Sequence, residues 1–510
     1  MERGNEEITQ ALRPAYTSES FNPIGKHTIK VIRVATSIPE SFRPQAEYVF
    51  RFFSHLWGIP VLVSRYQHQA EKPDIIYSSS YQQRDQGAVY VPFNKHLYNA
   101  ACRCDSVECD GLRLWSEAGA ACASHDLVGS SYRLLTFLDE QQVSPDSRDR
   151  RGTFFSHALP VPRQRTAQLP LVDYHAQYLL QQLARSRSDV TRSAIPKWPG
   201  GKKYAIAITH DTDAVTLGAA KELGTNLAKF LVRRDRVFLD MLRSGLRYIG
   251  KPTENPFFGF PLWREFENSL QFYSCFYLFA KVVPVKKDIN NCKSSVVEQR
   301  IDWDILRRMA ASGWEFGFHA PIDPENKLEA FVEGKRWIEE KLRTPIYGLR
   351  HHYWALDWRK PPVTFRKHIE AGFRYDTSIA WKDIAGFRAA TCHPFRPFDP
   401  EQGKPLDIHE IPTCLMDGHI IKDPDDVLSA VEEGLSIVRE VKEQGGVAVL
   451  DWHTETACNA YNYNNYLTVL RQILEPLLAD GDAWMATPWE IAQHWQQRSV
   501  ELEAASVSTH

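Results

Sequence analysis

The sequence predicts an α/β protein in which a (β/α) barrel forms the C-terminal part and a smaller mixed α/β domain precedes it. Three observations support this fold class. A chain of 510 residues exceeds what one ordinary hydrophobic core holds, so at least two domains are expected. Residues 186–203 are rich in Ser, Arg, Pro and Gly and show no sustained apolar period, which is typical of a linker. Beyond this linker, short apolar runs alternate with helical patterns, which indicates a parallel sheet covered by helices.

Residues 1–190 are predicted to form the smaller domain. Thr28–Thr36 alternates between apolar and polar residues like a strand, and Gln45–Leu56 carries apolar residues at helical spacing. Two further β-rich runs follow at Ile59–Ser64 and Asp74–Ser78. Because this part shows no constellation of catalytic residues, it is interpreted as an accessory domain.

Residues 200–495 are predicted to form the barrel, and residues 496–510 a disordered tail. The predicted strands are Ala205–Thr209, Cys275–Phe279, Trp314–His319, Ile346–Arg350, Phe373–Thr377, Glu410–Met416, Val447–Trp452 and Trp484–Thr487. The predicted helices between them include Trp303–Ala311, Leu328–Leu342, Val427–Glu443 and Tyr466–Leu478. Seven or eight strand–helix units favour closure into a barrel, and a doubly wound open sheet is the alternative. Both architectures gather catalytic residues at the carboxyl ends of the strands.

The composition limits the expected partners and compartment. The net charge is −2, which argues against a nucleic-acid or anionic-membrane partner held by bulk electrostatics. The basic patch at residues 233–236 is interpreted as one solvated helix face. The N-terminus lacks the apolar core of a signal peptide, and no apolar run approaches the roughly 20 residues that span a bilayer. We therefore expect a cytoplasmic protein without a transmembrane segment.

The cysteines also favour a reducing compartment, because the chain contains an odd number, nine, without a disulfide framework. Four of them cluster, at Cys102, Cys104, Cys109 and Cys122. Their spacings do not match the usual zinc knuckles, so free thiols are the favoured interpretation and structural zinc is the alternative hypothesis.

Charged and imidazole side chains follow several predicted barrel strands. Asp211 and Asp213 end the first strand, and His319 ends the third. Arg350 ends the fourth, and Asp451 and His453 end the penultimate one. Residues at the ends of parallel strands share one rim of a barrel, and buried charges without a function are costly. The sequence therefore predicts a catalytic site on this rim.

The residue types on the rim indicate metal-dependent acid–base chemistry. Asp211 and Asp213 are two residues apart and point to the same side of a strand, so a cation beside them would relieve their repulsion. One carboxylate would then bind the metal while the other stays free as a base, and Arg350 could orient the free one. His319 offers the neutral nitrogen that zinc prefers. Asp451 could keep the His453 imidazole protonated as an acid.

At these positions the sequence resembles the polysaccharide deacetylase family (carbohydrate esterase family 4, with a NodB-like catalytic domain) over residues 200–495. The motif residues that carry the resemblance are Thr209–Asp213, His319–Asp323, Arg350–Tyr353 and Asp451–His453. The resemblance implies a distorted (β/α) barrel that hydrolyses the N-acetyl group of a sugar with a divalent metal, zinc in the first place. It assigns Asp211 as the general base, Asp213 and His319 as metal ligands, and His453 as the general acid, with Arg350 among the catalytic residues.

Three positions depart from the family pattern. Asp323 replaces the second metal-binding histidine, His352 replaces a proline, and Asp451 replaces a leucine. The third metal ligand is therefore either Asp323 or His352. A second carboxylate ligand would make the ion a weaker Lewis acid.

The expected substrate is an N-acetylated sugar or glycan intermediate. Trp354 and Trp381 lie in predicted loops after strands, where an aromatic face could stack on a sugar ring, and Tyr353 is expected to line the pocket. Two alternative functions are a glycan-binding or regulatory barrel with impaired catalysis and an amidase for a non-sugar linear amide. The sequence indicates no oligomeric state.

Overall fold

The computed structural model describes residues 30–66, 72–80, 87–102, 104–109, 112–117, 126–159, 166–187, 194–216, 220–234, 236–249, 251–280, 301–321 and 327–507. Of the predicted site residues, Asp323 lies outside this range, and so does Cys122 of the cysteine cluster. The choice between Asp323 and His352 therefore rests on the geometry around His352, and the zinc hypothesis for the four cysteines stays a prediction.

The N-terminal part is built on a small parallel sheet, as its alternating runs predict. Its strands are β1 (Ile32–Ser37), β2 (Val61–Arg65), β3 (Ile75–Ser78) and β4 (Val89–Pro92), in the order β2-β1-β3-β4. An antiparallel hairpin follows, formed by β5 (Cys104–Cys109) and β6 (Leu112–Glu117). The helices are α1 (Arg43–Trp57), α2 (Leu127–Leu135), α3 (Leu138–Gln141) and α4 (Leu171–Ser186). The mixed α/β prediction for this part is confirmed.

The C-terminal part contains a larger sheet in which the consecutive strands run parallel. Its strands are β7 (Tyr204–Asp211), β8 (Cys275–Leu278), β9 (Glu315–Ala320), β10 (Gly348–His351), β11 (Tyr375–Asp376), β14 (His409–Glu410), β15 (Thr413–Met416), β16 (Val447–Asp451) and β17 (Ala483–Met485). A small antiparallel pair, β12 (Phe398–Asp399) and β13 (Lys404–Pro405), lies outside this sheet. Every residue of β7 is buried, which explains its nearly continuous apolar sequence.

Helices cover the outside of this sheet. They are α5 (Ala220–Arg233), α6 (Arg236–Arg247), α7 (Phe260–Leu270), α8 (Trp303–Ser312), α9 (Leu328–Leu342), α10 (Pro361–Glu370), α11 (Asp417–Ile420), α12 (Val427–Gln444), α13 (Tyr466–Ala479) and α14 (Pro488–Val507). Among the described residues, every helix is too short or too polar to cross a bilayer.

The large sheet curls until its two ends meet. One segment, His409–Met416, pairs with β11 at its beginning and with β16 at its end. Since β16 also pairs with β7, this broken strand connects β11, near one end of the sheet, to β16 and β7, near the other end. The barrel prediction is confirmed, and the open-sheet alternative is wrong because an open sheet would leave these two edges apart.

The eight predicted strands and four predicted helices of the barrel are all present, with ends shifted by a few residues. The predicted tail is wrong for residues 496–507, which continue α14. The physical reason is burial: Arg498 is 2% exposed and donates to the backbone carbonyl of His55 at 2.6 Å, and Leu502 is 3% exposed. The predicted linker is likewise packed at Trp198, whose indole N–H donates to the Gly445 carbonyl.

The two parts of the chain share one hydrophobic cluster. It includes Ile32 and Trp115 from the N-terminal part and Ile208 and Phe318 from the barrel. Asp173 on α4 adds polar contacts with the barrel segment Thr391–His393. We propose that residues 1–190 and 200–495 remain separate domains because each has its own sheet, although their cores are continuous.

Candidate functional site

The site lies at the carboxyl ends of the barrel strands, as predicted. Asp211 is the last residue of β7, His319 lies in β9, and Arg350 pairs with it in β10. His453 follows β16 by two residues. Because these strands are parallel and neighbouring, residues far apart in sequence meet on one rim.

Asp213, His319 and His352 form a cluster with the composition of a metal site. Nε2 of His319 lies 3.3 Å from Oδ1 of Asp213, and Nε2 of His352 lies 3.0 Å from Oδ2 of the same carboxylate. The three potential ligand atoms lie within 4.8 Å of one another, and the side chains are 11% exposed or less. Two imidazoles and one carboxylate are a known protein ligand set of catalytic zinc.

The orientation of His319 fits a cation at this position. Its Nδ1 lies 3.1 Å from the Arg350 backbone carbonyl, which can only accept a hydrogen bond, so this nitrogen carries the proton. Nε2 lies 3.3 Å from the Asp213 carboxylate, and this buried nitrogen has no hydrogen-bond partner among the described residues. A cation between the two groups would accept the lone pair of a neutral Nε2 and pair with the carboxylate. The residues present therefore fit a divalent metal.

Asp211 is held beside this cluster by Arg350. The guanidinium contacts Asp211 at 3.0 Å and Asp451 at 2.8 Å, and its other donors bind the hydroxyls of Thr377 and Thr413. Burial raises the pKa of Asp211, but the charges of His319 and Arg350 outweigh the effect of burial. The pKa of Asp211 therefore lies below its usual value. Burial and the charge of Asp211 raise the pKa of Asp451. Asp211 is therefore the ionised carboxylate of the pair, as a general base requires.

His453 contacts a carboxylate other than the predicted one. Its Nδ1 lies 3.1 Å from Oδ1 of Asp417, and its backbone N–H donates to Oδ2 of Asp417 at 2.9 Å. The prediction that Asp451 holds His453 is wrong because the carboxylate of Asp451 pairs with Arg350 instead. Burial lowers the pKa of His453, but Asp417 outweighs it and raises that pKa well above the usual value. His453 is thus protonated at neutral pH, and one of its nitrogens lies within 4.8 Å of a carboxylate oxygen of Asp211.

The predicted aromatic platform is not formed. Trp354 is 4% exposed and Trp381 is 1% exposed, so neither offers a ring face to a sugar. Both rings pack against guanidinium groups, of Arg350 and Arg388 respectively, which explains their burial. These two substrate-binding predictions are therefore wrong for this conformation. Tyr353 is 37% exposed, and its place in the substrate pocket stays a prediction.

Two residues near the site, Asp417 and Arg151, were not predicted from the sequence. Asp417 directly follows β15, so the rule that located the other site residues, polar residues just after a strand, would have found it. Arg151 comes from the N-terminal part, and its guanidinium lies 3.7 Å from the ring centre of Tyr353. Arg151 also lines a cavity of about 500 Å³ together with Arg148 and Arg359. No local pattern in the sequence indicates this contact between the two parts of the chain.

Comparison with known proteins identifies similar folds at low identity. The sequence matches no protein-family model and no curated protein. Similar solved structures include a polysaccharide deacetylase from Mycobacterium smegmatis, with 18% identity, a TM-score of 0.41, and coverage of 59% of this chain and 93% of that chain. A polysaccharide deacetylase from Pseudomonas aeruginosa PAO1 has 15% identity, a TM-score of 0.39 and coverages of 60% and 97%. The Puue allantoinase has 16% identity, a TM-score of 0.39 and coverages of 60% and 95%. Similarity at this level does not establish an activity for this chain.

Proposed function

We propose that this protein is a metal-dependent hydrolase that removes an N-acetyl group from a sugar or glycan intermediate. The observation that carries the proposal is the placement of a carboxylate, Asp211, and an imidazole, His453, beside the Asp213, His319 and His352 cluster. Amide hydrolysis needs these parts together: a base for water, an acid for the departing amine, and a cation.

The three metal-site residues would hold the ion through two nitrogens and one carboxylate. We propose zinc as the native metal, because this ligand set is one that zinc adopts in catalytic sites. When bound, the ion supplies Lewis-acid activation of the substrate carbonyl and of water. In this proposal His352 is the third ligand.

The catalytic steps are assigned to residues of the chain. Asp211 accepts a proton from the water that attacks the acetyl carbon, and Arg350 keeps this carboxylate ionised and oriented. His453 donates its proton to the nitrogen as the carbon–nitrogen bond breaks, giving acetate and a free amine. The proton that Asp211 took from water then returns, through solvent, to His453, and Asp417 stabilises the charged imidazole. The cytoplasmic location and the N-acetylated glycan substrate are part of the same proposal.

Metal content and acetate release from the purified protein test this function. We expect about one zinc per chain bound at the site and release of acetate from N-acetylglucosamine oligomers. His319→Ala should lose both, whereas His453→Ala should keep the metal and lose about 10²–10⁴ in kcat. His157→Ala, at an exposed histidine, is the matched control and should change neither property.

The same experiment separates the alternatives. Metal without acetate release from any N-acetylated sugar, but with hydrolysis of other linear amides, would identify an amidase. Binding of N-acetylated glycans without turnover of either substrate class would identify an impaired, glycan-binding barrel.

A further inference from the structure

A helical hairpin follows the first catalytic strand and has a surface unlike that of the rest of the barrel. It consists of α5 and α6, and it begins seven residues after Asp213. We propose that this hairpin docks the protein onto an anionic lipid surface, beside the rim that carries the catalytic residues. The proposal concerns binding and does not depend on the reaction that the site catalyses.

The hairpin concentrates exposed apolar side chains. The structure shows twelve exposed large hydrophobic side chains in its described part, and five of them lie between residues 227 and 249. These are Leu227, Leu231, Val232, Leu246 and Ile249. Val232 is 82% exposed, Ile249 59% and Leu231 55%. Single exposed apolar residues are ordinary on a protein surface. Several of them on one hairpin indicate a surface that binds an apolar partner or a membrane.

The same hairpin carries a local excess of positive charge. Residues 220–251 contain eight Lys and Arg against three Asp and Glu, a net charge of +5, whereas the whole chain has −2. The basic side chains described as exposed are Lys229, Arg233, Arg234, Arg236, Arg243, Arg247 and Lys251. The net charge of the whole chain does not reveal this local excess, and Arg233, Arg234 and Arg236 are exposed, as the sequence predicted for the basic patch.

Basic and apolar side chains together match the interface of an anionic bilayer. Helices of 14 and 12 residues are too short to span a membrane but long enough to lie in its plane. Val232 and Ile249 would enter the acyl boundary while Arg233 and Arg247 reach the lipid phosphates. A nucleic acid would satisfy the charges but leave the apolar side chains exposed to water. The observations therefore favour a lipid surface.

Contacts at the base of the hairpin fix it to the catalytic rim. Met241 of α6 packs with Phe257 in a small apolar cluster that also includes Ala214, the residue after Asp213. The hydroxyl of Tyr461, in the loop after His453, donates to the Ser244 hydroxyl at 2.7 Å. A lipid surface bound by the hairpin therefore lies next to the loops that hold the site.

Vesicle cosedimentation with the full chain tests the proposal. Binding is measured to vesicles of equimolar phosphatidylglycerol and phosphatidylcholine, to phosphatidylcholine alone, and to duplex DNA. We expect binding to the anionic vesicles that is about tenfold or more tighter than to the neutral ones and that weakens with added salt. No binding to anionic vesicles, or tighter binding to DNA, would overturn the proposal.

Two variants separate the apolar and the basic contributions. L231S/V232S and R233Q/R247Q should each weaken binding to anionic vesicles by about tenfold or more. The matched controls change equally exposed residues elsewhere, Leu428→Ser and Arg336→Gln, and should bind like the natural chain. All six positions are at the surface, and thermal unfolding confirms that each variant is folded. Undiminished binding of both hairpin variants would contradict the proposal.

Discussion

Nε2 of His352 lies 3.0 Å from Oδ2 of Asp213, although 139 residues separate them in sequence. This contact places an imidazole where the deacetylase pattern has a proline, next to Asp213 and His319. We propose that His352 supplies the metal-binding nitrogen that the family pattern has at position 323, so that the proposed site consists of two imidazoles and one carboxylate.

The first prediction concerns this replacement. His352→Ala should weaken zinc affinity by at least about 100-fold, because it removes one of three protein ligands. Asp323→Asn should change the zinc affinity by less than about tenfold, since Asp323 is not a metal ligand in this proposal. Chelator competition measures both affinities. A larger loss in the Asp323 variant than in the His352 variant would reverse the ligand assignment.

The second prediction concerns the pH dependence of the proposed acid. A histidine whose pKa is raised stays protonated, and active as an acid, until the pH rises through that raised value. Asp417→Asn keeps a hydrogen-bonding side chain but removes the charge, so the pKa of His453 should fall. The alkaline limb of the kcat/KM profile should then move to lower pH. Asp425→Asn, at an exposed position, is the control. A lower rate with an unmoved alkaline limb would show that Asp417 is only structural.

The third prediction concerns the buried pair of Arg350 and Asp211. Arg350→Met should reduce the free energy of unfolding by about 3–5 kcal/mol, because it leaves the buried Asp211 carboxylate without its counter-charge and removes the hydrogen-bonding partner of Asp451. It should also raise the pKa of Asp211, so the acid limb of the activity profile moves to higher pH. Denaturant unfolding and a pH profile measure the two effects. Arg336→Met, at an exposed arginine, should change neither.

The fourth prediction concerns the contact between the two parts of the chain. Asp173 is buried, and the pKa of its carboxyl lies below 3.8 because the charge of His393 and hydrogen bonds from His393, Cys392 and Thr391 outweigh its burial. A carboxyl with a depressed pKa stabilises the fold above its unfolded-state pKa, and this contribution disappears as the pH falls through the folded-state value.

Asp173→Asn should therefore lower the free energy of unfolding by about 1–3 kcal/mol at neutral pH. The difference from the natural chain should shrink as the pH falls below 3.8. Urea unfolding at several pH values measures it, with Asp425→Asn as the exposed control. A difference that stays constant with pH would show that the ionised form of Asp173 contributes nothing specific.

Much of the site could be predicted because its residues follow one local rule. Asp211, Asp213, His319, Arg350 and His453 each come at or just after an apolar strand, and parallel strands end on the same rim. Asp417 obeys the same rule, because it directly follows β15, but it was not predicted. The partner of His453 was predicted wrongly because two residues of spacing do not determine which side chain turns toward which neighbour.

The sequence by itself determined the alternating strands and helices of a parallel sheet, the rim and the residue types of the site, because periodicity and short apolar runs are local properties of the chain. Only the tertiary structure decided that the sheet closes through the broken strand His409–Met416. It also decided that Asp451 pairs with Arg350 rather than with His453, and that Trp354 and Trp381 are buried. These outcomes depend on distances between residues far apart in sequence. Competition among several possible partners for one buried charge is settled only when the whole barrel is assembled.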